Sequence, residues 1–337
     1  MINTQKKSGR IEEYLRRNRE SNNFLIKRDL SRIFTGFFMV VLLFGLCFLI
    51  LQPLFHQFSN SIMGRDDYFD PTIISIPREP SLANYRVVIH VMDYWQSLLR
   101  TTGITLLVAV LQISACTLVA YGFARFKFPL KTFWFVCVMA TIIVPPHVIM
   151  ASIFLNFRFF DLFGLMTLIT GQPLNLFNSL TGYLVLSVTA MGLRNGLYIF
   201  MLRQYFRNMP KELEESAWVD GCGKLRTFAQ IMLPDAVPIL VSCFLFAFVW
   251  QWTDGFYASM FLRDHGVLAQ RLSGLGESFR VYYGSIRLDE DGILAPVALV
   301  QATISSGVLI SIAPIIVIYL FAQRHFVESI GQSGIKM

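Results

Sequence analysis

No Gly-x-x-x-x-Gly-Lys-Ser/Thr loop occurs in the sequence, so the chain lacks the phosphate cradle through which P-loop proteins hold ATP. A His-Glu-x-x-His helix and a Gly-x-Ser-x-Gly elbow are missing as well, which removes the zinc-peptidase and serine-hydrolase readings. Charge is scarce, at 15% of residues. Inside the long apolar runs it is nearly absent, Arg194 being the exception and His147 a titratable group near a run's end. Transporters driven by protons or sodium usually carry ionisable groups within their spans, so self-energised transport is disfavoured. The five cysteines, at 47, 116, 137, 222 and 243, show no paired spacing and suggest neither a disulfide framework nor a zinc site.

What the chain has instead is apolar length. With 54% hydrophobic residues and a mean hydropathy of +0.53, it reads as an all-α integral membrane protein. Six apolar runs are long enough to cross a bilayer, at about 34–55, 101–123, 132–154, 180–202, 235–252 and 295–321. A basic segment, 1–33, precedes the first run, and Ile11, Tyr14 and Leu15 within it suit one face of a short surface helix or a solvated orientation signal. The first run is too long for a cleaved leader and reads as a retained anchor. A polar outer segment, 56–99, separates it from a core of five spans, 100–322, and a tail, 323–337, closes the chain. Six spans put both termini on one side. Under this layout the segments on the terminal side hold 19 Lys or Arg and the outer segments, Arg100 included, hold 9. The positive-inside rule therefore places both termini in the cytoplasm, and the net charge of +7 reflects topology rather than nucleic-acid binding.

Three of the runs carry irregular features. Pro145 and Pro146 remove backbone donors inside the third, so the helix must bend or break there, which a membrane tolerates only where protein or a water-filled cavity meets the freed carbonyls. Arg194, followed by Asn195 and Gly196, lies inside the fourth; it faces a cavity or partner, or else snorkels toward the end marked by Arg203. The fifth closes on Trp250-Gln251-Trp252-Thr253-Asp254. Twenty helical residues after Pro234 travel ~30 Å, which sets Asp254 at the far interface. Pro145, Pro146, Arg194, Asn195, Gln251 and Asp254 are the candidate residues of a transport pathway.

The most informative stretch is a polar island, Asn208 to Pro238. Asn208 and Pro210 are helix-start signals, and 211–219 is rich in helix formers, with Leu213 and Ala217 four apart on one face. Gly221 supplies the left-handed cap that lets the chain reverse. A second helix follows over about 224–232, with Leu225, Phe228 and Ile231 or Met232 at helical spacing, and Pro234 opens the next span. Within it, Glu215, Ala217, Asp220 and Gly221, then nine residues, then Ile231, Leu233 and Pro234, resemble the EAA loop of ABC importer permeases. Ser216 stands for the commoner second alanine and Cys222 for the alanine after the glycine; both are small.

Other stretches are similar to the carbohydrate-importing, maltose-permease-like branch of that family: Ser81-Leu82-Ala83-Asn84-Tyr85 before the second span, Ala120-Tyr121 through Ala124-Arg125-Phe126 and Phe128-Pro129 at its end, Trp252, Asp254 and Phe256 after the fifth, and the tail from Gly331. Thr253 departs from the family's asparagine. The resemblance implies a six-helix type I importer permease with a cytoplasmic helix-turn-helix coupling loop, 208–234, in a prokaryotic cell membrane. It implies four kinds of partner: a dimer of ATPase subunits, which would hold ATP and magnesium, a second and different permease chain, an extracytoplasmic solute-binding protein, and lipid. This chain would be neither an enzyme nor a cofactor binder. Leu213, Glu214, Glu215, Ser216, Ala217, Asp220, Gly221, Leu225, Ile231, Leu233 and Pro234 would form the ATPase-docking loop, with Glu215 pairing to a basic group and Leu213, Ala217 and Leu225 supplying packing. The solute would be a sugar or oligosaccharide. An autonomous secondary transporter or channel, and an importer permease for a solute such as glycerol phosphate or polyamine, are the alternatives.

Overall fold

The structure, a computed structural model, describes residues 24–64, 67, 70, 76–286 and 295–334. The Ile11, Tyr14 and Leu15 face expected in the basic leader lies outside them. Sixteen α-helices run in chain order among the described residues. They are α1 (Phe24–Ser61), α2 (Ala83–Val91), α3 (Tyr94–Arg125), α4 (Lys131–Ile143), α5 (Met150–Arg158), α6 (Leu165–Thr170), α7 (Leu180–Val188) and α8 (Asn195–Asn208). The second half holds α9 (Glu212–Val219), α10 (Lys224–Thr227), α11 (Leu233–Asp235), α12 (Val237–Thr253), α13 (Phe256–Phe261), α14 (Leu268–Ser273), α15 (Leu275–Ile286) and α16 (Val297–Gly334). Extended pairing is limited, among these residues, to one bridge between Phe160 and Leu174.

The chain divides into two units, Met1–Ser59 and Asn60–Met337. The first is essentially α1, charged in its opening turns at Lys27, Arg28, Asp29 and Arg32 and then apolar from Ile33 to Phe55 with its large side chains exposed, as suits a helix facing lipid. In the second, α3 is the central rod. Its 32 residues pack most extensively on α8 and α12 and also touch α7. Small side chains line these crossings: Ala109, Cys116, Ala120, Cys243 and Ala247 are buried. At Gly196 of α8 an added Cβ would meet Thr141 Oγ1 and lie 2.8 Å from the Val138 carbonyl of α4. Close backbone approach through small residues is how helices associate where lipid supplies no hydrophobic drive. Hydroxyls along the rod, such as Thr101 to the Ser97 carbonyl and Thr117 to the Ile113 carbonyl, satisfy themselves within their own helix.

Among the described residues three helices, α1 from Lys27, α3, and α16 over Val297–Phe321, are long and apolar enough to cross a bilayer, and the number rises to five if each of two bent pairs is one span. The expected third span is one of these pairs. α4 ends at Ile143, Val144 and Pro145 are extended, a 3-10 turn runs Pro146–Ile149, and the two arms meet at 104°. The prolines thus produce a break rather than a kink. The expected fourth span, 180–202, is not a continuous helix. It splits into α7 and α8, with Ala190 and Arg194 both at positive φ between them.

Candidate functional site

The polar island folds as helix, glycine turn, helix. α9 starts after Lys211, and its first turn carries Glu212, Glu214 and Glu215, negative charge where the helix dipole favours it. Its end is a Schellman cap. Gly221, at φ +80°, donates to the Trp218 carbonyl at 3.1 Å, and Cys222 donates to Ala217 at 2.9 Å. A Cβ at Gly221 would touch nothing within 4 Å, so the glycine is required by its backbone angle alone. α10 then runs into a π-helical turn, Phe228–Met232, and α11 carries Leu233 and Pro234 to a 75° bend before α12.

The loop has two distinct faces. Outward lie Leu213, Glu215, Ser216, Asp220, Gly221, Leu225 and Pro234, with Leu225 84% exposed. Trp218 and Val219 join them, Val219 at 88%. Sequence reading missed these two, although two large apolar residues in a polar loop are a signal of an unpartnered surface. Ile231 and Leu233 are half-buried.

Two expected docking residues point the other way. Ala217 is 3% exposed and packs inside the chain. Glu214 is buried: its Oε1 accepts from the Tyr121 hydroxyl at 2.8 Å, and its Oε2 lies 3.3 Å from Arg125 Nε, both side chains being 7% exposed. Arg125 also donates through Nη2 to the Met209 carbonyl at 2.9 Å. The Tyr121 ring sits among Phe126, Phe206 and Phe228 at centroid distances of 5.6, 5.5 and 4.6 Å. Packing thus assigns adjacent glutamates opposite surroundings.

The pathway candidates are partly gathered and partly scattered. Gln112, in the middle of α3, donates to the Leu193 carbonyl at 2.6 Å and to Asn195 Oδ1, and accepts from Gln251 at 2.9 Å. Gln251 accepts in turn from the Tyr183 hydroxyl. Asn195 and Gln251 are therefore buried and bonded within the chain, through Gln112 and Tyr183, which sequence reading did not single out. Asp254 accepts from the backbone N–H of Phe256 and Tyr257, each at 3.0 Å, and so caps α13. A cavity of about 20 Å³ between Thr101, Thr105, Tyr183, Gln251 and Asp254 has room for a water, far short of a sugar ring. Arg194 stands apart. It precedes α8 at φ 58°, is exposed on this chain, and stacks its guanidinium 4.4 Å from the centre of the Trp250 ring. Pro145 and Pro146 lie at the α4–α5 break, outside this network; the His147 ring contacts Phe256 at 4.6 Å.

Comparison with known proteins places this geometry. The family described as binding-protein-dependent transport system inner membrane component matches residues 112–332. A probable ABC transporter permease, YurM of Bacillus subtilis, is 28% identical over 298 residues, covering 88% of this chain and 87% of its own. An arabinooligosaccharides transport system permease protein, AraQ of Halalkalibacterium halodurans, is 25% identical over 243 residues, covering 72% of this chain and 75% of its own. In fold, the chain is similar to a bacterial ABC transporter involved in import of the acidic polysaccharide alginate, with a TM-score of 0.66 at 21% identity, covering 88% of this chain and 97% of that one. The family match begins at Gln112 within α3 and runs through the two-faced loop to residue 332 in α16, more than half of the chain, and on that ground the chain belongs to the inner membrane components of binding-protein-dependent transport systems.

Proposed function

We propose that this chain, with a second and different permease chain, forms the route for a sugar or oligosaccharide delivered by an extracytoplasmic solute-binding protein. ATP hydrolysis on a dimer of separate ATPase subunits, which hold ATP and magnesium, drives the cycle. The observation that carries the reading is the outer side of the 208–234 loop, where Leu213, Glu215, Trp218, Val219 and Leu225 are all exposed. An exposed tryptophan and exposed aliphatics set among charged residues are the composition of an interface, and with Glu215 they suit a cleft that offers apolar walls and a basic group. The lysine and arginine distribution supports a cytoplasmic position for the loop and both termini. The names of AraQ and of the alginate importer support a carbohydrate solute.

Glu215→Arg tests the docking. Glu215 is exposed, so the variant should fold and insert while uncoupling ATP hydrolysis from uptake. Full uptake in that variant would remove the docking role. An isolated chain in liposomes should transport nothing; solute flux there would favour an autonomous transporter. Purification of the native complex, with mass identification of its subunits and of the ligand held by the binding protein, tests the second permease and the sugar.

A further inference from the structure

We infer that Glu214, Arg125 and Tyr121 form a strut that carries movement of α9 into α3, with Glu214 a positioning residue rather than an ATPase contact. The inference rests on the docking role proposed for the loop. α9 has 8 residues, too few to hold a fixed orientation by its own hydrogen bonds, so its direction is set by what its inner face grips. That face grips the last turn of α3. Tyr121 and Arg125 are four apart, on one side of the helix, and both reach Glu214. Arg125 also holds the Met209 carbonyl, at the junction of α8 and α9, while the Tyr121 ring packs on Phe206 of α8 and on Phe228 of the π turn. The end of α8, α9 and the second loop helix thus meet on two side chains of one rod.

The pair is dry, and that makes it a strut rather than a tether. If α9 moved away alone, Glu214 would lose both of its partners and Arg125 would keep only the Met209 carbonyl, and opening such a buried pair is strongly disfavoured. Movement of α3 with α9 keeps the pair closed. α3 then delivers the displacement at mid-length, where Gln112 holds the α7–α8 break through the Leu193 carbonyl and Asn195, and holds α12 through Gln251. A push on a surface helix reaches a broken span through one continuous rod.

The test uses the assembled transporter, with the exposed or half-exposed Cys47, Cys137 and Cys222 changed to serine and a fluorescent label on Leu99→Cys at the opposite end of α3. ATP with orthovanadate, against nucleotide-free buffer, should change the label's emission when the wild-type loop is present. Glu214→Gln keeps the shape and an acceptor for Tyr121 but removes the charge. It should retain the ATPase subunits on purification and lose at least five-fold of the emission change. Tyr121→Phe, which leaves the ion pair, should lose about half. Glu214→Arg combined with Arg125→Glu restores the ion pair but leaves the Met209 carbonyl without its donor, and it should recover more of the change than either single variant, a rescue that a purely space-filling role would not give. An emission change in Glu214→Gln within two-fold of wild type overturns the strut, as does loss of the ATPase subunits from that variant, which would make Glu214 a docking contact. If the wild-type chain fails to retain an ATPase, the docking reading itself falls, and the inference with it.

Discussion

Removing Arg125 while leaving Glu214 in place should be among the most damaging single substitutions in the chain. In Arg125→Met the side-chain volume is roughly kept, but Glu214, 7% exposed, loses its counter-ion and keeps only the Tyr121 hydroxyl. The Met209 carbonyl loses a charged donor in the same step. Breaking a buried pair by deleting one partner costs about 3–5 kcal/mol, whereas an exposed pair is worth about 0–1 kcal/mol. The burial puts this pair in the first class, and the surviving hydroxyl bond moves the expectation to the lower end, about 3 kcal/mol. Such a loss is more than a hundred-fold in the folded-to-unfolded ratio. Glu214→Gln added to Arg125→Met removes the stranded charge and should restore about 2 kcal/mol, so that the double variant is more stable than the single one. Unfolding of the purified chain in mixed detergent and SDS micelles, followed by tryptophan fluorescence, measures both. A cost below about 1 kcal/mol for Arg125→Met, or a double variant no better than the single, would show that the pair is effectively solvated and would refute the reasoning.

Two glycines separate backbone strain from packing. Gly221→Ala should cost only about 1 kcal/mol in the same assay, because the new methyl meets open space and only the left-handed angle is penalised. Gly196→Ala should cost about 1–3 kcal/mol, since the methyl would lie 2.8 Å from the Val138 carbonyl and 2.9 Å from Ile142 Cγ1, forcing α8 from α4. Equal losses at the two sites would contradict this division. Gln251→Leu should lower stability by about 1–2 kcal/mol, as Gln112 loses a donor to its Oε1 and the Tyr183 hydroxyl loses one of its acceptors. A neutral or stabilising effect, read from the same unfolding curves, would mean that these amides find other partners.

Much of the loop could be read from the chain. Helix formers, the Gly221 cap and the apolar spacing after it are local signals, and the structure returns them as α9, a left-handed glycine and α10. The partition of its faces could not be read in this way. Glu214 and Glu215 are the same residue side by side, and what separates them is Arg125, 89 positions earlier, brought near by the packing of α3. The same limit applies to the spans. Pro145 and Pro146 announce a break, but its 104° is set by the helices around it. The interruption between α7 and α8 has no proline, and its apolar letters run on through Ala190, where the backbone turns left-handed. Gln251 and Asp254 looked like pathway groups because they are polar at a span's end, and the structure uses their polar atoms for an amide chain and a helix cap.

The π turn at Phe228–Met232 has a geometric meaning that no single residue carries. Each residue of an α-helix advances the azimuth by about 100°, so a wide turn that accommodates an extra residue re-aims everything after it by a comparable angle. The nine positions between Gly221 and Ile231 therefore measure more than a distance. With the wide turn in place they set the bearing at which Leu233 and Pro234 arrive at the bend into α12, and an otherwise identical loop one residue shorter would point that helix elsewhere. A fixed count in this sequence is a direction written in residues.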